Sequence, residues 1–310
     1  MKEIIQKKIT ELSELINSIN EEDKTISSET IERGNIVDLA NKFEDTINHK
    51  PYIKTGFTQI DNIIHGFLPG ELSVIGARPA MGKTSLLLDI ALNISHNKGQ
   101  NKAVLFINLE NSLKQLTSRI LENNIKSNDD VSDFNLHLIC MHGDITTIIN
   151  EMKTYVENES VEVVFIDYIQ LVSLMNNKRY RDLELTVIIR LLKQFAIQNN
   201  IAIIVSSQLN RSVEYRGGDK KPQLSDLRDS GSLEQESDKV IFIHRPEYYG
   251  LTVDWEGNDT RGIAEIIIAK NRNGETGIAT ICYLENASTF ISCKRNSSDF
   301  GDINTDLIYN

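Results

Sequence analysis

Cysteine occurs three times, proline five times and tryptophan once in 310 residues, and each scarcity excludes something. Cys140, Cys282 and Cys293 are too few for a disulfide-built scaffold and show no CxxC or Cys/His ligand spacing. They are read as buried or incidental thiols of a reducing compartment, not as a structural zinc site. His49, His65, His96, His137, His142 and His244 are scattered, without the helical offsets that metal sites use, so none is assigned to metal. No apolar run reaches the ~20 residues that span a bilayer. The N-terminal MKEIIQKKITELSELI mixes charge with apolar residues where a signal peptide would carry an unbroken core, so a cytoplasmic protein without membrane partners is expected. Positive charge is short as well: 33 Lys and Arg against 44 Asp and Glu leave a net charge of −11. That excludes general affinity for polyanions, because nonspecific nucleic-acid binding feeds on cations matched to phosphates. Any nucleic-acid contact must come from local basic loops.

What is present suffices for one substantial domain with appendages, since 40% apolar content can bury an ordinary core. Ile5, Ile9, Leu12, Ile16 and Ile19 form one apolar stripe at helical spacing, too short for a coiled coil. The polar EEDKTISSE breaks it, and Ile36, Leu39, Ala40, Phe43 and Ile47 form a second. This second helix packs either on the chain's own core or on a neighbouring subunit; the pattern leaves both open. The expected division is residues 1–34 as amphipathic helix and polar linker, 35–50 as linker helix, 51–294 as the main domain, and 295–310 as a loose polar tail.

From about residue 55, short β-rich apolar runs alternate with helical segments, the texture of a parallel sheet made of βαβ units. Strands are predicted at Leu72–Ala77, Ala103–Asn108, Leu136–Cys140, Val161–Asp167 and Ile201–Ser207. Helices are predicted at about Lys83–Ser95, Leu113–Asn123, Ile145–Glu157 and Leu183–Asn199. Lys239–His244, Gly262–Ala269 and Ile278–Leu284 come next with no long helix between them, which predicts an antiparallel extension at the sheet edge. The fold class is therefore α/β: a doubly wound, mostly parallel sheet with that extension and a short helical N-terminal appendage.

The segment GARPAMGKTS stands between the strand ELSVIG and the helical run LLLDIALNI, the setting of a P-loop. A triphosphate needs converging backbone amides, a cation for its β and γ charge, and a hydroxyl for Mg²⁺. Ala77, Arg78, Pro79, Ala80, Met81, Gly82, Lys83, Thr84 and Ser85 supply them, with Lys83 as the cation and Thr84 as the hydroxyl. Ala77 replaces the usual first glycine, so the turn must avoid a left-handed conformation there. VEVVFID ends an apolar run on Asp167, the acid expected to hold the Mg²⁺ shell. Glu110, after AVLFINLE, is either the general base for water or an exposed strand-end carboxylate. Gln208, after IAIIVSS, is either a γ-phosphate sensor or a loop cap.

TGF…IDNIIHGFLPGELSVIGARPAMGKTS, IDYIQLV, SSQLNRSVEYR, DLRDSGSLEQESD and IIIAKNRNGETG occur in the order and spacing of DnaB-type replicative helicases. Over roughly residues 50–290 the chain resembles their C-terminal, RecA-like P-loop motor domain, in which an alanine at the Ala77 position is usual. The resemblance implies an ATP hydrolase with Mg²⁺, a homohexameric ring, nucleotide held between subunits, and single-stranded DNA in the central channel, moved 5′ to 3′ in replication. It implies that Lys270 and Arg272 reach the γ-phosphate of the adjacent subunit; by pattern alone they are a solvated turn between strands. It implies that Arg119 lies near adenine. Its DNA-facing positions match Arg228, Asp229 and Gly231, and the loop holding Lys178, Arg179 and Arg181 around Tyr180 adds a basic run of a kind more often merely solvated. The helical domain that braces the ring and recruits primase is expected to be absent, so primase binding is not implied, whereas a helicase loader remains an admissible partner. Two activities fit: a DNA-stimulated translocase that unwinds duplexes, in a phage, plasmid or accessory setting, or a nucleotide-controlled ring-forming assembly ATPase without processive unwinding.

Overall fold

Runs such as VVFID and AIIVSSQ are rich in β-branched residues and have no charged residue before their ends, so they can be buried on both faces only as inner strands. The computed structural model describes residues 51–127, 130–174, 181–227 and 231–293, with side chains at 51–122, 130–174, 182–227 and 231–293. The two N-terminal stripes, the expected linker helix and the tail 295–310 lie outside the described residues, as do Lys178, Arg179, the side chain of Arg181, Arg228 and Asp229. The described elements belong to one compact unit, which begins at Pro51.

In chain order its elements are α1 (Thr58–Ile64), β1 (Leu72–Ala77), α2 (Lys83–Ser95), β2 (Val104–Asn108), α3 (Leu113–Ser127), β3 (Leu136–Cys140), α4 (Ile145–Glu159) and β4 (Val163–Asp167). Then come α5 (Arg181–Asn199), β5 (Ala202–Gln208), the single turn α6 (Ser212–Tyr215), α7 (Gly231–Glu236), β6 (Lys239–His244), β7 (Ile263–Asn271), β8 (Gly277–Leu284) and β9 (Thr289–Ile291). One sheet joins all the strands in the order β3-β2-β4-β5-β1-β6-β7-β8-β9. The first six run parallel and the last three antiparallel.

The antiparallel extension begins one strand later than the sequence suggests. Lys239–His244 pairs parallel to β1, with Val74 opposite Val240, because the chain crosses over through the segment 209–238 before it returns. β7 then comes back along β6 after an 18-residue connection without a crossover helix. β9 has only three residues, too few to leave a periodic signal, and was not anticipated.

Alternation across the inner strands divides the core. Ile75 and Ala77, Val104 and Phe106, Val163 and Phe165, and Ala202 and Ile204 face one side, with Leu86, Leu87, Ile90 and Ile94 of α2. Leu72 and Val74, Leu105 and Ile107, Val164 and Ile166, and Ile203 and Val205 face the other, against α4 and α5. Leu185, Ile188, Ile189, Leu192 and Ala196 of α5 recur at three- and four-residue steps, so one stripe is buried and its opposite face solvated. Each such Leu or Ile contributes about 1.5–3 kcal/mol on burial. This core holds the carboxyl ends of β1, β2, β4 and β5 side by side.

The thiols depart from expectation. Cys282 of β8 and Cys293 form a disulfide across 11 residues, with Cα atoms 5.3 Å apart, and only Cys140 is free. The β8–β9 hairpin sets Cys282 opposite Ile291, which carries the chain back within bridging reach of a cysteine two residues on; no short Cys motif is needed. A buried charge pair was also illegible. Lys239, fully buried at the start of β6, binds Glu71 just before β1, and Glu71 also accepts from Leu68 N–H at 3.1 Å and Asn273 Nδ2 at 2.6 Å. No helix among the described residues is long and apolar enough to cross a membrane.

Candidate functional site

β1 ends at Ala77, and after five intervening residues α2 starts at Lys83, with Gly82 as its cap at φ 89°. Positive φ falls on Ala80 (63°) and Gly82, while Ala77 stays in the strand, so the alanine there costs nothing. Gly82 is required twice over. Its φ disfavours any side chain, and an added Cβ would lie 2.8 Å from the ring of buried Phe290. The first turn of α2 thus opens towards the strand ends with unpaired amides and the positive end of the helix dipole, a combination suited to anions.

Four polar side chains meet beside that turn. Asp167, fully buried at the end of β4, accepts from Thr84 Oγ1 and from Ser206 Oγ of β5, each at 2.5 Å. Lys83 Nζ stands 3.9 Å from the same carboxylate and 4.2 Å from the centroid of the Tyr168 ring. Burial lowers the Lys83 pKa below its ordinary 10.5, opposed by the negative charges of Asp167 and Glu110. A hydroxyl and a carboxylate in contact at a helix start form the oxygen donor set that a hard divalent cation such as Mg²⁺ takes. Among the described residues no cluster of three His, Cys, Asp or Glu side chains competes as a metal site.

Glu110 is exposed just past β2. The Asn108 Oδ1 atom accepts from its N–H at 3.0 Å and from that of Asn111 at 2.5 Å, a local turn that lifts Glu110 out of the strand. It lines a cavity of about 480 Å³ together with Asn111, Ser112, Gln115, Cys140, Met141 and His142. Gln208 ends β5 directly opposite Ala77. Gln170, which lies in the IDYIQLV motif but was given no role there, clamps it: Gln208 N–H donates to Gln170 Oε1 at 3.1 Å, and Gln170 Nε2 donates to Gln208 O at 3.3 Å and Ser207 Oγ at 2.8 Å.

Arg78 belongs to the loop by sequence but spends its guanidinium elsewhere. It donates to Glu214 Oε1 at 2.8 and 2.6 Å and to Leu209 O at 2.7 Å. The phosphate-type loop is thereby tied to the segment after β5, which is closed at its base by the Leu209–Leu227 bridge and braced by Arg216 to Asp226 at 2.5 Å. Arg119 stands half-buried on α3, where its charge acts on Asp89 of α2. Gly231 opens α7.

Lys270 and Arg272 are not brought to Lys83. Arg272 N–H pairs with Asp238 O at 2.9 Å, and Asp238 N–H with Leu72 O at 2.8 Å, so both cations lie at the beginning of β1 while the loop lies at its end. Five steps at about 3.3 Å separate those ends by roughly 17 Å. Lys270 Nζ donates to the carbonyls of Glu234, Gln235 and Ser237 at 2.5, 3.3 and 2.8 Å. Burial lowers its pKa, and neighbouring Arg272 adds to the effect.

Comparison with known proteins agrees with this geometry. A model of the "DnaB-like helicase C terminal domain" matches residues 52–135 and 122–292. A "Probable plasmid replicative DNA helicase" of Chlamydia psittaci is 36% identical over 272 residues, 79% of this chain and 57% of that one. "Replicative DNA helicase DnaB" of Buchnera aphidicola subsp. Baizongia pistaciae is 37% identical over 262 residues, 77% of this chain and 55% of that one. The chain thus spans a little over half the length of the curated relatives it matches. Among solved structures, one described as an ATPase domain superposes with a TM-score of 0.72 at 28% identity, covering 85% of this chain and 100% of that one. A DnaB-like replicative helicase described with its primase interactions gives 0.70 at 26% identity, covering 93% and 76%.

Proposed function

Because the chain belongs to the DnaB-like helicase C-terminal domain family, we propose that it is an ATP-hydrolysing ring motor that moves along single-stranded DNA and unwinds duplexes in replication. The observation that carries this reading is the convergence of Lys83, Thr84 and Ser206 on buried Asp167 at the mouth of a glycine-capped helix. On this reading the loop residues 77–85, through their backbone N–H groups (Pro79 has none) and through Lys83, grip the β- and γ-phosphates, Thr84 and Asp167 would hold Mg²⁺, and Arg119 flanks the adenine. Bound Mg²⁺ would neutralise charge developing on the transferred phosphoryl group. Glu110 takes the proton from the attacking water, the bond from the γ-phosphorus to the bridging oxygen breaks, and ADP and phosphate leave. Gln208, pinned beside the loop by Gln170, senses whether the γ-phosphate is present.

Lys270 and Arg272 complete the site of the next subunit, a reading supported by the strand length that separates them from their own Lys83. Nucleotide is therefore held between copies of a homohexamer, and hydrolysis is coupled to ring geometry. DNA contact is assigned to Lys178, Arg179 and Arg181 and to Arg228, Asp229 and Gly231, with 5′ to 3′ movement, work in the cytoplasm and a loader as an admissible partner. The linker helix expected at residues 35–50 is assigned to docking on the neighbouring subunit.

The test is phosphate release with and without single-stranded DNA, beside unwinding of a forked duplex. Turnover stimulated by DNA, together with ATP-dependent unwinding, is expected. Nucleotide-dependent assembly with no response to DNA would replace this reading with that of an assembly ATPase.

A further inference from the structure

The two oxygens of the Asp238 carboxylate have different work. Oδ2 accepts from Leu72 N–H at 2.8 Å and from Lys193 Nζ of α5 at 2.6 Å, which joins the first residue of β1 to the long helix beneath it. Oδ1 faces Arg272 Nη1 at 3.3 Å. Lys193 already neutralises the carboxylate within the fold, so charge balance does not require Arg272 as well. The other Arg272 terminal nitrogen, Nη2, donates to Gln235 O at 2.5 Å, and its main-chain N–H to Asp238 O at 2.9 Å. A side chain that is 46% exposed is thus held from two directions. An unheld arginine at such exposure would sample many rotamers, and fixing it costs entropy at each catalytic encounter.

We propose that Asp238 is the positioning residue for Arg272: it pre-aims the guanidinium that Arg272 presents to the adjacent subunit's nucleotide. The proposal rests on the reading of Arg272 as a cation acting in the neighbouring site. Asp238 touches no substrate and works through Arg272.

Asp238→Asn isolates this role. Leu72 N–H and Lys193 both demand an acceptor, so the amide oxygen must stay on their side and the NH₂ group must face Arg272, donor against donor. Turnover by the full chain with DNA should fall roughly ten- to a hundredfold in kcat, as expected for a misplaced catalytic group, while KM and fluorescent-nucleotide binding stay within about twofold of the starting protein. Subunit mixing then separates position from fold. Lys83→Ala subunits lack the phosphate grip but keep Arg272 and Asp238, so mixing them with Asp238→Asn subunits rebuilds intact sites at the mixed interfaces. Turnover should rise above that of either variant alone, and an Arg272→Ala plus Lys83→Ala mixture should behave alike.

If the Arg272→Ala mixture recovers and the Asp238→Asn mixture does not, Asp238 is structural and the proposal is overturned. Unchanged kcat in Asp238→Asn overturns it too. If neither mixture recovers, the neighbouring-site reading of Arg272 is itself wrong. Should Asp238→Asn fail to fold, Asp238→Glu keeps the charge and displaces Oδ1; it should show the same loss of kcat and the same recovery on mixing, and wild-type turnover there would refute the proposal.

Discussion

Lys83 is largely buried, depressed in pKa and beside the one carboxylate to which two hydroxyls also donate, so its ammonium is held where a β/γ-phosphate would offset its desolvation. Lys83→Ala should abolish both nucleotide binding and turnover. Arg272→Ala should lower turnover by about 10³-fold or more, as for cations supplied across an interface, yet leave binding largely intact; equal loss of binding in a fluorescent-nucleotide titration would contradict that. Asp89 on the same helix makes a pH prediction. Burial pushes its carboxyl up from the ordinary 3.8 to about 7, against the pull of Phe290 N–H, the Thr289 hydroxyl and Arg119. The folded protein therefore keeps a proton that the unfolded chain releases, so the contribution of Asp89 to stability is full below about pH 4 and is lost as pH rises through about 7. In Asp89→Asn, whose amide can donate to a turned Thr289 hydroxyl, that loss disappears. Melting curves from pH 5 to 9 should show wild type losing ground to the variant as pH rises; a constant difference would refute the assignment.

At the scale of elements, two contacts between segments remote in sequence hold the site's frame. Lys239 and Glu71 tie the start of β6 to the start of β1 inside the fold. Lys239→Ala leaves a buried carboxylate uncompensated and should cost about 3–5 kcal/mol, read as a shift in denaturant midpoint. Lys239→Met with Glu71→Leu should recover part of it, leaving Asn273 and Leu68 N–H without their acceptor. The second contact, Arg78 with Glu214, links the phosphate-type loop to the segment after β5. Glu214→Ala should therefore reduce DNA stimulation of turnover by about two- to tenfold while basal turnover persists. A parallel loss of both rates, in phosphate-release assays with and without DNA, would show that the contact merely supports the loop.

For the whole molecule, Lys83 is separated from Lys270 and Arg272 by the length of β1, so on the proposed reading of those two cations a second copy must complete the site. Turnover per subunit should fall steeply on dilution and recover with a Mg²⁺–nucleotide analogue that drives assembly, while mass measurement reports the ring. A specific activity independent of concentration under all conditions would mean a self-sufficient monomer. The parallel sheet and its flanking helices were legible because burial on two faces demands uninterrupted β-branched runs such as VVFID, and because single-faced helices such as α5 repeat at three and four residues. The phosphate-type loop and Asp167 were legible because they are local strings at strand ends. The pairings of Gln170, Glu214 and Asp238 were not, although all three lie within the motifs, since each pairs with a residue 34 or more positions away, and such a partner leaves no spacing to read.

The sequence by itself determined the strand and helix alternation, the glycine-capped loop after β1 and the acid after β4, because sterics, periodicity and local hydrogen bonding act over a few residues. Only the tertiary structure decided that β6 is a parallel member, that Cys282 pairs with Cys293, that Arg78 serves the segment after β5, and that Lys270 and Arg272 stand at the far end from Lys83. Those outcomes depend on which edges and strand ends meet in space, and chain crossover and burial fix that jointly across the whole sheet.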